Sequence, residues 1–139
     1  MKKQVLALAG VLSLLLVAGT ALAQSPITAD VPFNFTVNKT SMPAGKYSIS
    51  NVGTDSSTLL IQSKDRQYSK LFLPNRAEAP TVARRTKLVF HCYGKDQCFL
   101  YQIWVQGAKR GRELPPSSFE REIAANQDSR NVPVLASVH

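Results

Sequence analysis

The chain is short of the side chains that assemble polar reaction centres: two histidines, two cysteines and nine acidic residues among 139 positions. No H-E-x-x-H, no pair of cysteine clusters and no carboxylate-rich loop occurs, so a dedicated zinc or calcium site has no sequence support and no cofactor is expected. A glycine-rich phosphate loop and a G-x-S-x-G elbow are missing as well, which removes the common routes to nucleotide chemistry and serine hydrolysis. One histidine, His91, alternates with Val89 and Tyr93, the pattern of a packed, hydrogen-bonded imidazole; the other, His139, ends the chain. A triad of a serine, His91 and an aspartate assembled in space is the remaining hydrolytic arrangement. No catalytic residue is assigned, and the chain is read as a non-enzyme.

Long apolar runs are also scarce, and the one present lies at the start. Met1-Lys2-Lys3 is positive, residues 5–17 are almost wholly apolar, and Ala21-Leu22-Ala23 offers the small residues a signal peptidase reads. Residues 1–23 are therefore expected to be a cleaved signal peptide, with residues 24–139 forming one β-rich domain. An uncleaved anchor is the competing reading, because the uncharged span 4–29 is nominally long enough to cross a bilayer. Gly10, Ser13, Gly19 and Thr20 interrupt that span. Lipid attachment is not expected, since it needs a cysteine at the new amino terminus and the first cysteine is Cys92. No second segment is apolar enough to span a membrane, so the expected location is the periplasm or the exterior.

Acidic charge is the minority. The 17 lysines and arginines exceed the nine acids by eight, and loss of Lys2 and Lys3 leaves an excess of six. Such a balance favours anionic surfaces and also serves ordinary solubility.

Between short apolar segments, turn chemistry recurs every eight to twelve residues, the spacing of an all-β antiparallel sandwich or small barrel. About seven or eight strands and one short C-terminal helix are expected. Over 31–37, Phe33, Phe35 and Val37 share one face and Asn34 and Thr36 the other. Residues 38–45 read as a polar connection with a turn at Pro43 and Gly45. Strands follow over 46–52, 58–62 and 68–73, with Tyr47 and Ile49 facing one way. Residues 76–85 carry little packing volume and read as an irregular segment or an edge strand.

Residues 87–93 and 98–106 make the strongest hairpin, apolar on both faces and hence central. A three-residue turn at 94–96 sets Cys92 opposite Cys98, Phe90 opposite Leu100, Leu88 opposite Gln102 and Val89 opposite Tyr101. Opposed residues lie about 4.5–5.5 Å apart at Cα, within disulfide reach, and an exported chain meets an oxidising compartment. A four-residue turn would put the cysteines out of register and leave buried thiols. Redox catalysis would call for C-x-x-C opening a helix, and here five residues intervene.

Toward the end, Ser117-Ser118-Phe119-Glu120 fits a helix start, Ser117 accepting from an amide three residues on while Glu120 reaches back. The helix is expected near 117–126, docked through Phe119 and Ile123. Residues 127–139 are either a weakly structured tail or a last strand, with Val132, Val134, Ala136 and Val138 on one side. Two basic groups, Arg84, Arg85 and Lys87, and Lys109, Arg110 and Arg112, are the anion-binding candidates: if Lys87 pairs near Ile103, both loops leave the same end of the hairpin as one cationic rim. Arg112, Glu113, Glu120 and Arg121 are candidates for a salt-bridge cluster holding the helix.

Placed in this order, Val31-Pro32-Phe33-Asn34-Phe35-Thr36-Val37, Met42-Pro43-Ala44-Gly45-Lys46-Tyr47, Lys87-Leu88-Val89-Phe90-His91-Cys92-Tyr93-Gly94, Gly111-Arg112-Glu113-Leu114-Pro115-Pro116-Ser117 and Glu120-Arg121-Glu122 form a pattern. It resembles small exported bacterial proteins with a VPFxFxV, LPAGxY, KLVFHxYG and GRELPxSxxERE succession. The resemblance implies an exported β-rich domain of unassigned activity and transfers no catalytic residue.

The expected function is a non-enzymatic binding or structural module of the envelope, its partner an acidic envelope polymer or another envelope protein; sequence-specific nucleic-acid binding does not suit an exported chain. The rival is a carrier whose barrel interior, lined by Phe33, Phe35, Tyr47 and Phe90, holds a small apolar ligand.

Overall fold

A computed structural model describes residues 25–54 and 57–139. The signal peptide expected over 1–23 lies outside the described residues.

Among the described residues eleven strands and one helix follow one another: β1 (Ile27–Val31), β2 (Phe35–Val37), β3 (Thr40–Met42), β4 (Gly45–Val52), β5 (Thr58–Ser63), β6 (Ser69–Phe72), β7 (Asn75–Glu78), β8 (Lys87–Tyr93), β9 (Gln97–Trp104), β10 (Arg110–Glu113), α1 (Ser118–Ala124) and β11 (Ser129–Val138). The strands run β3-β2-β9-β8-β11-β1-β4-β5-β6 in a sheet nearly closed into a barrel, with β10 pairing both β9 and β7. The all-β class thus holds, with one short helix among the described residues. The strand number exceeds seven or eight because 31–37 divides between β1 and β2 and two short strands sit where sequence spacing shows connections, β3 inside 38–45 and β10 in the loop that carries Arg110 and Arg112; β7, at the head of 76–85, takes the edge-strand reading of that segment. Pairing is antiparallel except between β2 and β9, which meet in parallel at Thr36 and Phe99.

The segment 31–37 is two strands rather than one. Pro32 has no amide hydrogen to continue the ladder; β1 ends at Val31, and β2 resumes at Phe35 in another part of the sheet. The alternation survives the break, with Phe35 and Val37 buried and Asn34 exposed. Residues 127–139 resolve in favour of a strand: β11 pairs β8 over residues 129–135 and β1 over 136–138, joining the two halves of the barrel. Val132, Val134 and Ala136 face the core, and Leu135 faces out.

Edge-to-face rings fill the interior at one level. Phe90, fully buried, lies 5.0 Å from Phe33 and 5.3 Å from Phe35 between centroids, and Phe35 lies 5.0 Å from Tyr47. Each such contact contributes about 0.5–1.5 kcal/mol beyond area burial. The four residues named as a carrier lining pack on one another as core. A second cluster of Ala77, Val89 and Trp104, flanked by Ala79, Ala83 and Tyr101, covers the outer side of β8 and β9, so the hairpin is apolar on both faces as its composition predicts.

At the hairpin tip the register is the expected one: Cys92 opposite Cys98, Phe90 opposite Leu100, with a three-residue turn at 94–96. Beyond Phe90 it slips. Leu88 faces Ile103 rather than Gln102, and Val89 faces Gln102 rather than Tyr101, because Tyr101 is the extra residue of a β-bulge. The bulge keeps Leu100 and Ile103 both in the core, a step of three that strict alternation forbids.

Cys92 and Cys98 are bridged, their Cα atoms 4.0 Å apart. Closing so short a loop contributes on the order of 2 kcal/mol, mainly by restricting the unfolded chain. Urea titration with and without reductant is expected to show a midpoint shift of that free energy, and Cys92→Ser with Cys98→Ser the same loss; coincident curves would remove the bridge from the energetics.

Candidate functional site

The basic residues are arranged by a small ribbon at one end of the barrel. β7 and β10 pair with Ala77 opposite Gly111, Arg76 opposite Arg112, and Glu78 opposite Arg110. Gly111 lies against Trp104: a Cβ there would stand 2.6 Å from Trp104 Cε3 and 2.7 Å from the Ile103 carbonyl oxygen. The ribbon can press onto β9 only because that position lacks a side chain. With Ala77 in the outer cluster, strand alternation turns Arg76, Arg110 and Arg112 to the other side.

That side is a cleft of about 610 Å³ at the barrel mouth, with Ile49, Leu59 and Ile103 lining it along with the three arginines. Ile27 opens β1 there, opposite both Ile49 and Val138. Arg110 Nε stands 3.7 Å from Glu78 Oε1, both side chains about three-quarters exposed, so this pair contributes little. Arg112 is engaged within the protein as well. Arg76 and Arg112 stand directly opposite each other on the ribbon, so their positive charges gather on one side of it.

A second groove of about 990 Å³ is lined by Arg84 and Arg85 together with Leu135 and Ala136, and it shares Val105 and Val138 with the first. The loops that carry the two basic groups are stitched together: Gly107 N donates to Ala83 O at 2.8 Å, Ala83 N to Ala108 O at 2.9 Å, and Ala79 N to Lys109 O at 2.9 Å. Of the six sequence-predicted cations, Arg84 and Arg85 flank one groove and Arg110 and Arg112 the other. Lys87 is half-buried in β8 opposite Trp104, and Lys109 is exposed just ahead of β10; neither lines these two grooves. Arg76 was not among the candidates. The alternation of Arg76 and Glu78 around Ala77 is its one sequence signal, and only the pairing with β10 gives it meaning.

On the outer face, the bulge directs Tyr101 and Gln102 toward one carboxylate, that of Glu113. Gln102 Nε2 donates to Glu113 Oε1 at 2.7 Å, and Trp104 Nε1 donates to Gln102 Oε1 at 3.1 Å. Burial raises the pKa of the Tyr101 hydroxyl, and its hydrogen bond to Glu113 adds to the effect. The Tyr101 ring stacks on His91 with centroids 3.6 Å apart. Glu120, only 6% exposed, accepts from Tyr93 Oη at 2.8 Å and lies 3.4 Å from His91 Nδ1. Burial first, and the bond to Glu120 second, push Tyr93 up to about 12.

These contacts revise how α1 is held. Ser117 caps the helix by accepting from Glu120 N at 3.2 Å, as the capping pattern predicts, but the Glu120 side chain reaches into the sheet rather than back over the cap. Phe119 is half-exposed and meets Phe99 at 6.0 Å, while Glu120 is the buried residue of the helix. Glu113 and Glu120 anchor through Gln102, Tyr93 and His91, on the sheet.

Among the described residues, no group of three or more His, Cys, Asp or Glu side chains is placed to hold a metal ion, and no helix is long and apolar enough to cross a membrane. Protein-family models, curated proteins and solved structures contain no match to this chain.

Because the proton on Tyr93 is held more tightly in the folded than in the unfolded chain, the stabilising bond is fully present below about pH 10 and is lost as pH rises through about 12. Tyr93→Phe is expected to destabilise by about 1–3 kcal/mol at pH 7, by leaving Glu120 without its hydroxyl donor, and to flatten the fall in stability between pH 10 and 12. Urea midpoints across that range check this; an unchanged alkaline slope in the variant would detach Tyr93 from it.

Proposed function

We propose that the chain is an exported, non-enzymatic binding module of the bacterial envelope whose arginine-rich end takes an anionic partner, an acidic envelope polymer being the chosen class. The observation that carries this is the ribbon itself: Arg76 and Arg112 directly opposed, Arg110 beside them, all on a strand pair pressed rigidly onto Trp104 through Gly111. Arg84 and Arg85 extend the positive surface across the shared wall of Val105 and Val138. A polyanion spanning both grooves meets guanidinium groups from the ribbon and from the neighbouring loop, and guanidinium forks match carboxylate and sulfate oxygens in pairs.

Export is supported by the positive start, apolar run and A-x-A site of the first 23 residues, by the resemblance to exported bacterial proteins, and by a disulfide of the kind that oxidising compartments permit. The non-enzymatic reading is supported by the employment of His91, Glu113 and Glu120 as packed, hydrogen-bonded anchors of the helix and the ribbon.

Retention on immobilised polygalacturonate or dextran sulfate is expected to fall steeply as salt rises from about 0.05 to 0.5 M, where exposed charges are screened within a few ångströms. Replacing Arg76, Arg110 and Arg112 together by Gln is expected to weaken retention about tenfold at low salt, a change of about 1.4 kcal/mol. Equal retention at low and high salt, or by the triple variant with an unchanged circular dichroism spectrum, would overturn the assignment.

A further inference from the structure

The two chemistries of the barrel mouth are adjacent, and a sugar polymer uses only one of them. Val105 and Val138 are 36% and 46% exposed and form the wall between the grooves. Below them Ile49, Leu59 and Ile103 are at most 5% exposed, so the floor is closed and aliphatic. The cleft is therefore a trough with an aliphatic floor, Ser25, Ser50 and Asn51 also in its lining, and guanidiniums along the β7–β10 side, where Glu78 pairs with Arg110. Its volume of about 610 Å³ falls within the range of small-molecule sites, about 300–1,000 Å³.

We infer that this cleft binds a single-chain anionic amphiphile, a lipid phosphate monoester, with the phosphate between Arg76, Arg110 and Arg112 and the alkyl chain laid along Val105 and Val138 over the closed floor. The inference rests on the anion-binding reading above and deepens it. A phosphate carries close to two negative charges and several acceptor oxygens, which suits three guanidiniums better than one carboxylate does. A closed, shallow floor suits one chain lying along it. The seat differs from the carrier interior expected from Phe33, Phe35, Tyr47 and Phe90, whose rings pack on one another.

The test is a titration of the purified protein with inorganic phosphate, butyl phosphate, octyl phosphate and octyl glucoside, all below micelle formation, followed by calorimetry and by amide shifts at Ile103, Gly111 and Val138. Full burial of a methylene corresponds to about fourfold in affinity and an open trough to roughly half that factor, so octyl phosphate is expected to bind at least about tenfold tighter than butyl phosphate. Arg76→Gln with Arg112→Gln is expected to remove most of the octyl phosphate affinity, and octyl glucoside to bind far more weakly than octyl phosphate. Retention on dextran sulfate combined with equal binding of octyl, butyl and inorganic phosphate would overturn the amphiphile while leaving the anion reading intact. Loss of both the polymer and the phosphates would overturn both. Octyl glucoside binding as tightly as octyl phosphate would overturn the role of the arginines. Capture by phosphatidate vesicles without any response to monomeric octyl phosphate would move the contact to a membrane surface and overturn the cleft.

Discussion

The structure depends on the β8–β9 hairpin being apolar on both of its faces. One face supplies Leu88, Phe90, Cys92, Leu100 and Ile103 to the barrel interior, and the other supplies Val89 and Trp104 to the outer cluster. A strand pair with two greasy faces is unstable until both are covered, so the hairpin recruits β11 and β2 at its edges and the 76–86 segment, the β7–β10 ribbon and α1 on its outer side. Everything proposed about binding sits on that outer layer and on the edge where it meets the barrel mouth. The disulfide secures the hairpin at its tip, away from the arginines.

A single inserted residue converts this scaffold into a positioned surface. With Tyr101 extra, Tyr101 and Gln102 both point outward, and both find the Glu113 carboxylate. Glu113 is thereby fixed at the end of β10, one residue from Arg112, while Glu120 is fixed beneath α1 by Tyr93 and His91. A buried carboxylate such as that of Glu120 is costly unless hydrogen-bonded, and both Glu120 and the half-buried Glu113 obtain their donors from the sheet. The consequence is a ribbon locked at Glu113 on one side and seated on Trp104 through Gly111 on the other, which holds the arginines without relying on weak exposed ion pairs.

Much of the scaffold is legible in the residues. Two-sided composition marks β8 and β9 as central, a three-residue turn pairs Cys92 with Cys98, alternation places Phe35 and Val37 inward, and Ser117 announces the helix. Four matters are not legible, each for a physical reason. Alternation alone reads through the bulge, although the step of three between the core residues Leu100 and Ile103 is its trace. The charged strand β10 looks like a loop because its partner β7 is equally polar and the pairing is long-range. Glu120 looks like a capping residue because its donors in the sheet are set only by tertiary packing. Arg76 looks like an isolated cation until it stands opposite Arg112. The arginine groups at 84–85 and 110–112 were legible as basic loops at one end, but their division between two grooves with a common aliphatic wall depends on β11, which sequence leaves open between strand and tail.

The register of the central hairpin is the feature on which the outward-facing network and the ribbon both rest, and cross-strand nuclear Overhauser contacts in the labelled protein read it directly. Contacts from Leu88 to Ile103 and from Phe90 to Leu100, with the Tyr101 ring against His91, are the result this structure requires. Contacts placing Leu88 opposite Gln102 and Val89 opposite Tyr101 would mean an uninterrupted ladder, with no bulge to hold Glu113 and no basis for the arginine-lined mouth.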